Sequence, residues 1–186
     1  MPIQKVTKEE ILIKSKEVFW QQGYFDTSMS DLAAACGLFK GSFYHHFSSK
    51  EALMKEILEM TRHDLKEKVF SIAQNTQLTP SERLAKMLIK LGKTTLLPDG
   101  GCFIGNTTVQ TAKQMPEFAE ILMGIFDDWI GAMAQVYSSR FTPEEARQLA
   151  NQTLVELQGA VMLSNLYKNQ DYLKEAFLRA TARLAE

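Results

Sequence analysis

Lys40, Gly41, Tyr44 and His45 occupy one side of a short helical stretch, and their chemistry suits the grip of a phosphate backbone. Lys40 brings an ammonium, and Tyr44 and His45 bring hydrogen bonds. Gly41 has no side chain, so the peptide itself can come close to a ligand. These four face outward once Phe43 and Phe47, spaced i and i+4, are assigned to the core. Lys50 follows in the first turn of the next helix, behind a Ser48-Ser49 cap, where helix amides and ammonium can hold one phosphate together. Phe39 stands directly before the stretch and leaves two readings open. It packs inward against the core, or it offers an apolar contact to a thymine methyl. His46 is divided between a phosphate contact and a partly buried structural role.

Such a surface needs a scaffold, and the helical period supplies one. Ile11, Ser15, Val18 and Phe19 form a stripe on a helix at about 7–22, opened by the capping box Thr7-Lys8-Glu9-Glu10. A short helix at 29–36 turns Met29, Leu32, Ala33 and Cys36 inward, with Thr27 or Ser28 as its cap. Gly37 ends it, and only Leu38 and Phe39 precede the helix at 40–47. Two short helices joined by a glycine-containing turn make a helix-turn-helix, which lays its second helix in a major groove.

Further helices are expected at about 49–75, 80–96, 103–112, 116–139, 143–168 and 170–185, nine in all. Thr79-Pro80-Ser81-Glu82 and Thr142-Pro143-Glu144-Glu145 mark two of the starts. The run Leu97-Pro98-Asp99-Gly100-Gly101 reads as a turn. The fold class is all-α: a three-helix helix-turn-helix domain over 1–50, then a longer helical domain over 51–186.

Gly23-Tyr24, the run from Thr27 to Gly37 and the run from Lys40 to Leu53 together resemble the DNA-binding domain of tetracycline-repressor (TetR) family regulators. The match runs through roughly residues 7–55. The resemblance implies a homodimeric, all-α repressor that leaves a palindromic operator when a small molecule occupies its C-terminal domain. It also implies phosphate or base contacts from Thr27, Ser28, Lys40, Gly41, Tyr44, His45 and Lys50. This chain departs from the family at Phe39, where serine or threonine is usual.

Beyond residue 50 the reading is physical. Phe118, Leu122, Phe126, Trp129 and Met133 line one face of the helix at 116–139, and Phe103, Met115, Met162 and Leu166 are expected to face it. With Cys102, these ten are the candidate lining of an adaptable apolar pocket. Ala146, Ala150, Gly159, Ala160, Ala176 and Ala180 permit close helix approach in the last two helices. Either a four-helix interface between two chains or an intrachain bundle uses them. Cys102, at a glycine-rich turn opening into a helix, carries two readings: an electrophile or oxidant sensor, or a packing cysteine.

Composition excludes several classes. Charged residues make up 23% and hydrophobic ones 45%, a globular balance. Residues 1–50 hold six basic and five acidic side chains, and the remainder fifteen and seventeen, so no bulk basic signature exists. Apolar runs such as 121–126 fall far short of the roughly 20 residues of a membrane span. Two cysteines make no disulfide framework or zinc site, and a reducing cytoplasm is the expected compartment. Nucleotide-binding, hydrolase and metalloprotease motifs are missing, and no histidine lies near Cys102 in the sequence, so neither enzyme, cofactor nor metal is expected. The expected partners are a double-stranded operator, a small-molecule effector and a second copy joined through the last two helices. A helical adaptor that binds no DNA is the remaining rival.

Overall fold

Thr7, Ser28, Thr79 and Thr142 each close a reciprocal capping box. The hydroxyl accepts the N–H of the helix's third residue, and that residue's carboxylate accepts the cap's own N–H. Ser28, rather than Thr27, is therefore the cap of the second helix. The computed structural model describes residues 6–97 and 100–184. Among them run α1 (Lys8–Gln22), α2 (Met29–Ala35), α3 (Lys40–His46), α4 (Lys50–Lys68), α5 (Pro80–Thr95), α6 (Phe103–Thr111), α7 (Pro116–Tyr137), α8 (Pro143–Tyr167) and α9 (Asp171–Ala182).

Two details depart from the sequence reading. The helix expected as far as residue 75 stops at Lys68, and a 3-10 turn, Phe70–Gln74, follows. Phe70 and Ala73 are both buried, and the tighter winding keeps residues three apart on one side. The expected turn after α5 is flanked by a minimal hairpin: β1 (Leu96–Leu97) pairs antiparallel with β2 (Gly101–Cys102), Leu96 opposite Cys102. Gly101 has φ +66°, a conformation that favours glycine.

The chain divides into two compact units. One holds the chain as far as Thr61 together with Asn106–Leu122; the other holds Arg62–Gly105 and the chain from Met123 onward. The first unit buries Ile11, Phe19, Leu32, Phe43, Phe47 and Ile57. Cys36 lies in the same core with its Sγ 3.9 Å from the Ser15 hydroxyl, and burial pushes its thiol pKa up.

In the second unit α8 packs on α9, and α5 on α9 and the 3-10 turn. Ala146, Ala150 and Ala160 of α8 and Ala176 and Ala180 of α9 are all buried inside this single chain. These five alanines, considered for a contact between chains, therefore serve the intrachain bundle, where short side chains let backbones approach, whereas Gly159 stays open. Tyr137 ties three helices together: its hydroxyl donates to the Ala180 carbonyl at 3.1 Å and lies 2.9 Å from the Thr153 hydroxyl. Since the Tyr137 proton is committed to Ala180, Thr153 donates to Tyr137, and Thr153 in turn accepts from Arg183 at 2.6 Å.

Candidate nucleic-acid interface

The turn between α2 and α3 is built from backbone chemistry. Leu38 N–H bonds the Ala33 carbonyl at 2.9 Å and Gly37 N–H bonds that of Ala34 at 3.0 Å, a Schellman closure with Gly37 at φ +70°. It sets the start of α3 at Phe39, whose backbone is extended and whose side chain caps nothing. Phe39 is 88% exposed, so the inward-packing alternative is excluded. Phe43 and Phe47 are buried with ring centroids 6.3 Å apart, and they root α3 in the first unit. Lys40, Gly41, Tyr44, His45 and His46 are exposed, and nothing lies within 4 Å of where a side chain at Gly41 would begin. The structure thus brings Phe39, Lys40, Gly41, Tyr44 and His45 onto one open helix. His46 joins the exposed set, and Ser28 is exposed while capping α2.

Thr27 and Lys50 lie elsewhere than the resemblance implies. Thr27 is 1% exposed, and its hydroxyl donates to the Gly23 carbonyl at 2.6 Å. Lys50 directs its ammonium at the Tyr24 and Thr27 carbonyls, at 2.8 and 2.9 Å, and holds it 4.4 Å from the Tyr24 ring centroid. Both side chains brace the turn between α1 and α2. Short polar side chains and a long cation satisfy its carbonyls where no ladder partner exists.

Tyr24 is the centre of that brace, a role its sequence position does not reveal. Its ring stacks on Phe19 and meets Phe118 edge-on at 5.4 Å, and its hydroxyl donates to Glu51 at 3.2 Å. Burial, with the Glu51 charge and hydrogen bond, pushes the phenol pKa well above the usual tyrosine range. Glu51 is held below the ordinary carboxylate value by its own backbone N–H, then by Ser49, Tyr24 and Lys50, against a smaller burial penalty. The Tyr24 backbone N–H donates to Gln110 of α6 at 2.7 Å. Within the same unit Lys55 of α4 reaches Glu117 of α7 at 3.5 Å. Gln110 carries no sequence signal beyond being a polar residue on an otherwise mixed helix.

The second unit contains a cavity of about 770 Å³ bounded by α5, α8 and α9, with Cys102 and Trp129 in its wall. Of the ten residues expected to line a pocket, these two do so. Met162 and Leu166 are 63% and 69% exposed, because α8 turns Leu154, Leu157, Ala160 and Ser164 inward and they lie on the opposite face. Phe118 and Leu122 are buried in the other unit, where Met115 also belongs. Phe103 and Met133 fill core away from the cavity wall, and Phe126 stacks on Trp129 at 6.4 Å rather than joining the wall. In their place stand Leu88, Leu91, Leu157, Gln158, Leu173 and Phe177. The period-3.6 apolar stripe of α5 is the signal that locates the first two. Cys102 is 3% exposed, and its sulfur accepts from Gly105 N–H at 3.4 Å and Gln158 Nε2 at 3.8 Å.

Residues 11–57 match the model of bacterial regulatory proteins of the tetR family, and residues 80–177 match that of the LmrA/YxaF-like transcriptional regulator C-terminal domain. The chain is 28% identical over 174 residues to the HTH-type transcriptional repressor DhaR of Mycobacterium sp. (strain GP1), covering 90% of this chain and 87% of that one. It is 28% identical over 171 residues to the uncharacterized HTH-type transcriptional regulator YxaF of Bacillus subtilis (strain 168), covering 88% and 87%. A TetR transcriptional regulator from Legionella pneumophila, of known crystal structure, shares the fold with a TM-score of 0.88 at 22% identity over 99% of this chain and all of that one.

Proposed function

We propose that this chain, which belongs to the TetR family of bacterial regulatory proteins, represses transcription by binding a palindromic operator as a homodimer and releases it when a small molecule occupies the C-terminal cavity. The observation that carries the reading is the open face of α3. Phe39, Lys40, Gly41, Tyr44 and His45 stand exposed on a helix fixed from behind by Phe43 and Phe47. Lys40, Tyr44, His45 and the Gly41 backbone contact phosphate, Phe39 reads a thymine methyl, and Ser28 approaches the backbone from the α2 cap. Thr27 and Lys50 hold the turn that presents them. The protein acts by binding, not catalysis, and works in the cytoplasm beside the DNA.

One recognition helix reads too few base pairs for selectivity, so a twofold dimer is required. Val155, Met162 and Leu166 are exposed at i, i+7 and i+11 on α8, with Gly159 open between them. This stripe, with exposed Leu178 of α9, is the surface for a second copy. Light scattering should give twice the 21.1 kDa of one chain, and Met162→Lys should return it to the single mass.

Coupling runs through α6, which begins next to Cys102 and carries Gln110 to the turn that Lys50 braces. Effector binding shifts the population toward conformers in which the two recognition helices no longer match successive grooves. Fluorescence anisotropy with DNA from upstream of the chain's own gene tests the whole reading. The intact protein should bind with a steep salt dependence, and Tyr44→Ala should weaken binding about tenfold or more. Binding that ignores both salt and Tyr44 would reject it.

A second reading is favoured by Cys102, whose sulfur lies in the cavity wall and accepts two N–H donors. Release would then follow alkylation or oxidation of that thiol. Cys102→Ser separates the two: reversible release survives it, and thiol-driven release does not.

A further inference from the structure

The cavity wall holds two lysines and, in Trp129, a buried donor without a partner among the described residues. Trp129 is 3% exposed, and its indole N–H, a donor only, is buried with no partner among the described residues. A buried unpartnered polar group is rare in native proteins and calls for an explanation, and a ligand acceptor provides one. Lys93 and Lys174 also stand in the wall, whereas no aspartate or glutamate among the described residues does. Lys174 is partly neutralised by Asp171 at 3.0 Å, and Lys93 has no ion-pair partner among the described residues. Gln158 already turns its Nε2 toward Cys102, and Thr95 spends its hydroxyl proton on the Leu91 carbonyl at 2.9 Å. An adjoining cavity of about 340 Å³ shares Leu96, Val161 and Gln170 with the first, and its wall includes Ser164, whose buried hydroxyl is likewise unpartnered.

We infer that the cavity takes an apolar molecule bearing an acidic oxygen group, a carboxylate or phenolate, and discriminates against hydrophobic cations. The inference rests on the proposed effector role of this cavity and adds the ligand's chemical class. Leucines 88, 91, 157 and 173 and Phe177 enclose the apolar body. The anionic oxygen lies in the field of Lys93, with Lys174 adding the remainder of its charge, and it accepts from the Trp129 N–H once a small turn of the indole uncovers that buried atom. A hydrophobic ammonium meets the same two lysines and finds no carboxylate among the described residues of the wall, so like charge and desolvation both oppose it.

Calorimetry with three ten-carbon probes of matched chain, decanoate, decanol and decylamine, tests the class directly. Decanoate should bind about tenfold more tightly than decylamine, with decanol between them. Lys93→Met should lower decanoate affinity roughly threefold and leave decanol unchanged, because an exposed cation is screened and lies at the rim. Trp129→Phe keeps the ring and removes the N–H, so it should weaken decanoate and decanol together. Lys93→Met lies on the surface and leaves the fold intact, which guards against a failed Trp129 variant. The inference is overturned if decylamine binds as tightly as decanoate, if none of the three binds, or if neither variant weakens decanoate. Operator release is read separately. Decanoate that binds with the expected order and leaves DNA binding untouched would overturn the effector role while upholding the ligand class.

Discussion

The side-chain oxygen of Gln110 accepts the backbone N–H of Tyr24 at 2.7 Å, joining α6 to the turn that precedes α2. A part-buried amide has few other partners there, since Lys50 and Thr27 serve the carbonyls of the same turn. Gln110→Ala should therefore cost about 1–2 kcal/mol of stability in urea unfolding, the penalty for stranding a donor. It should also blunt effector-driven release while leaving operator affinity of the free protein nearly unchanged. Gln110→Glu keeps an acceptor and should restore most of both.

Lys50 and Lys40 are expected to separate cleanly. Lys50→Met removes a cation that bonds two carbonyls, and should lower stability by about 1–3 kcal/mol. Lys40→Met should leave stability within about 0.5 kcal/mol and reduce the salt slope of DNA binding by about one. Anisotropy titrations over a range of salt, paired with urea midpoints, read both effects. A slope unchanged by Lys50→Met would match its place inside the fold.

Phe39 caps no amide of α3 and lies almost wholly in solvent. Phe39→Ser supplies the missing cap and should stabilise the protein by about 0.5–1 kcal/mol. In return it should relax the preference for thymine at one position in each half-site by about 1 kcal/mol, read by binding to single-substituted operators. Stability gained with base preference intact would deprive Phe39 of its assigned contact.

The four capping boxes imply a defined acid limb. Hydrogen bonds from Thr7, Thr79 and Thr142 hold Glu10, Glu82 and Glu145 below the ordinary 4.5, and those from Ser28 hold Asp31 below 3.8. Depressed carboxylates stabilise the fold above their unfolded values, and that stabilisation is lost as pH falls through the folded ones. Urea midpoints should thus be level near neutrality and drop below about pH 4.5. Glu82→Gln should lower the neutral plateau slightly and flatten the acid decline.

Much of the architecture was legible because it is written locally. Capping boxes, Gly37 and the helical period act within a few residues, so α1, α2, α3, α5 and α8 begin where the sequence puts them. The exposed face of α3 followed from subtracting Phe43 and Phe47. What the sequence could not show depends on contacts distant along the chain. Lys50 reads as a surface cation until the Tyr24 and Thr27 carbonyls are found beside it. The pocket was sought along the aromatic face of α7, yet aromatic residues there stack on one another and fill core. The cavity instead lies where α5, α8 and α9 leave space. Met162 and Leu166 show the same limit: apolar type alone does not tell an inner face from one open to a partner.

The hydroxyl relay through Arg183, Thr153, Tyr137 and Ala180 has a consequence for assembly. Each hydroxyl in it has a single direction of donation, so sliding α9 along α8 by even one residue would break both links made from the α9 side, Arg183 to Thr153 and Tyr137 to Ala180. The pair of helices therefore has one register, and the outer stripe of Val155, Met162 and Leu166 is presented as a fixed template. A second copy docking on that template, as proposed, would find one mating geometry, selected by buried hydroxyls that never touch the surface.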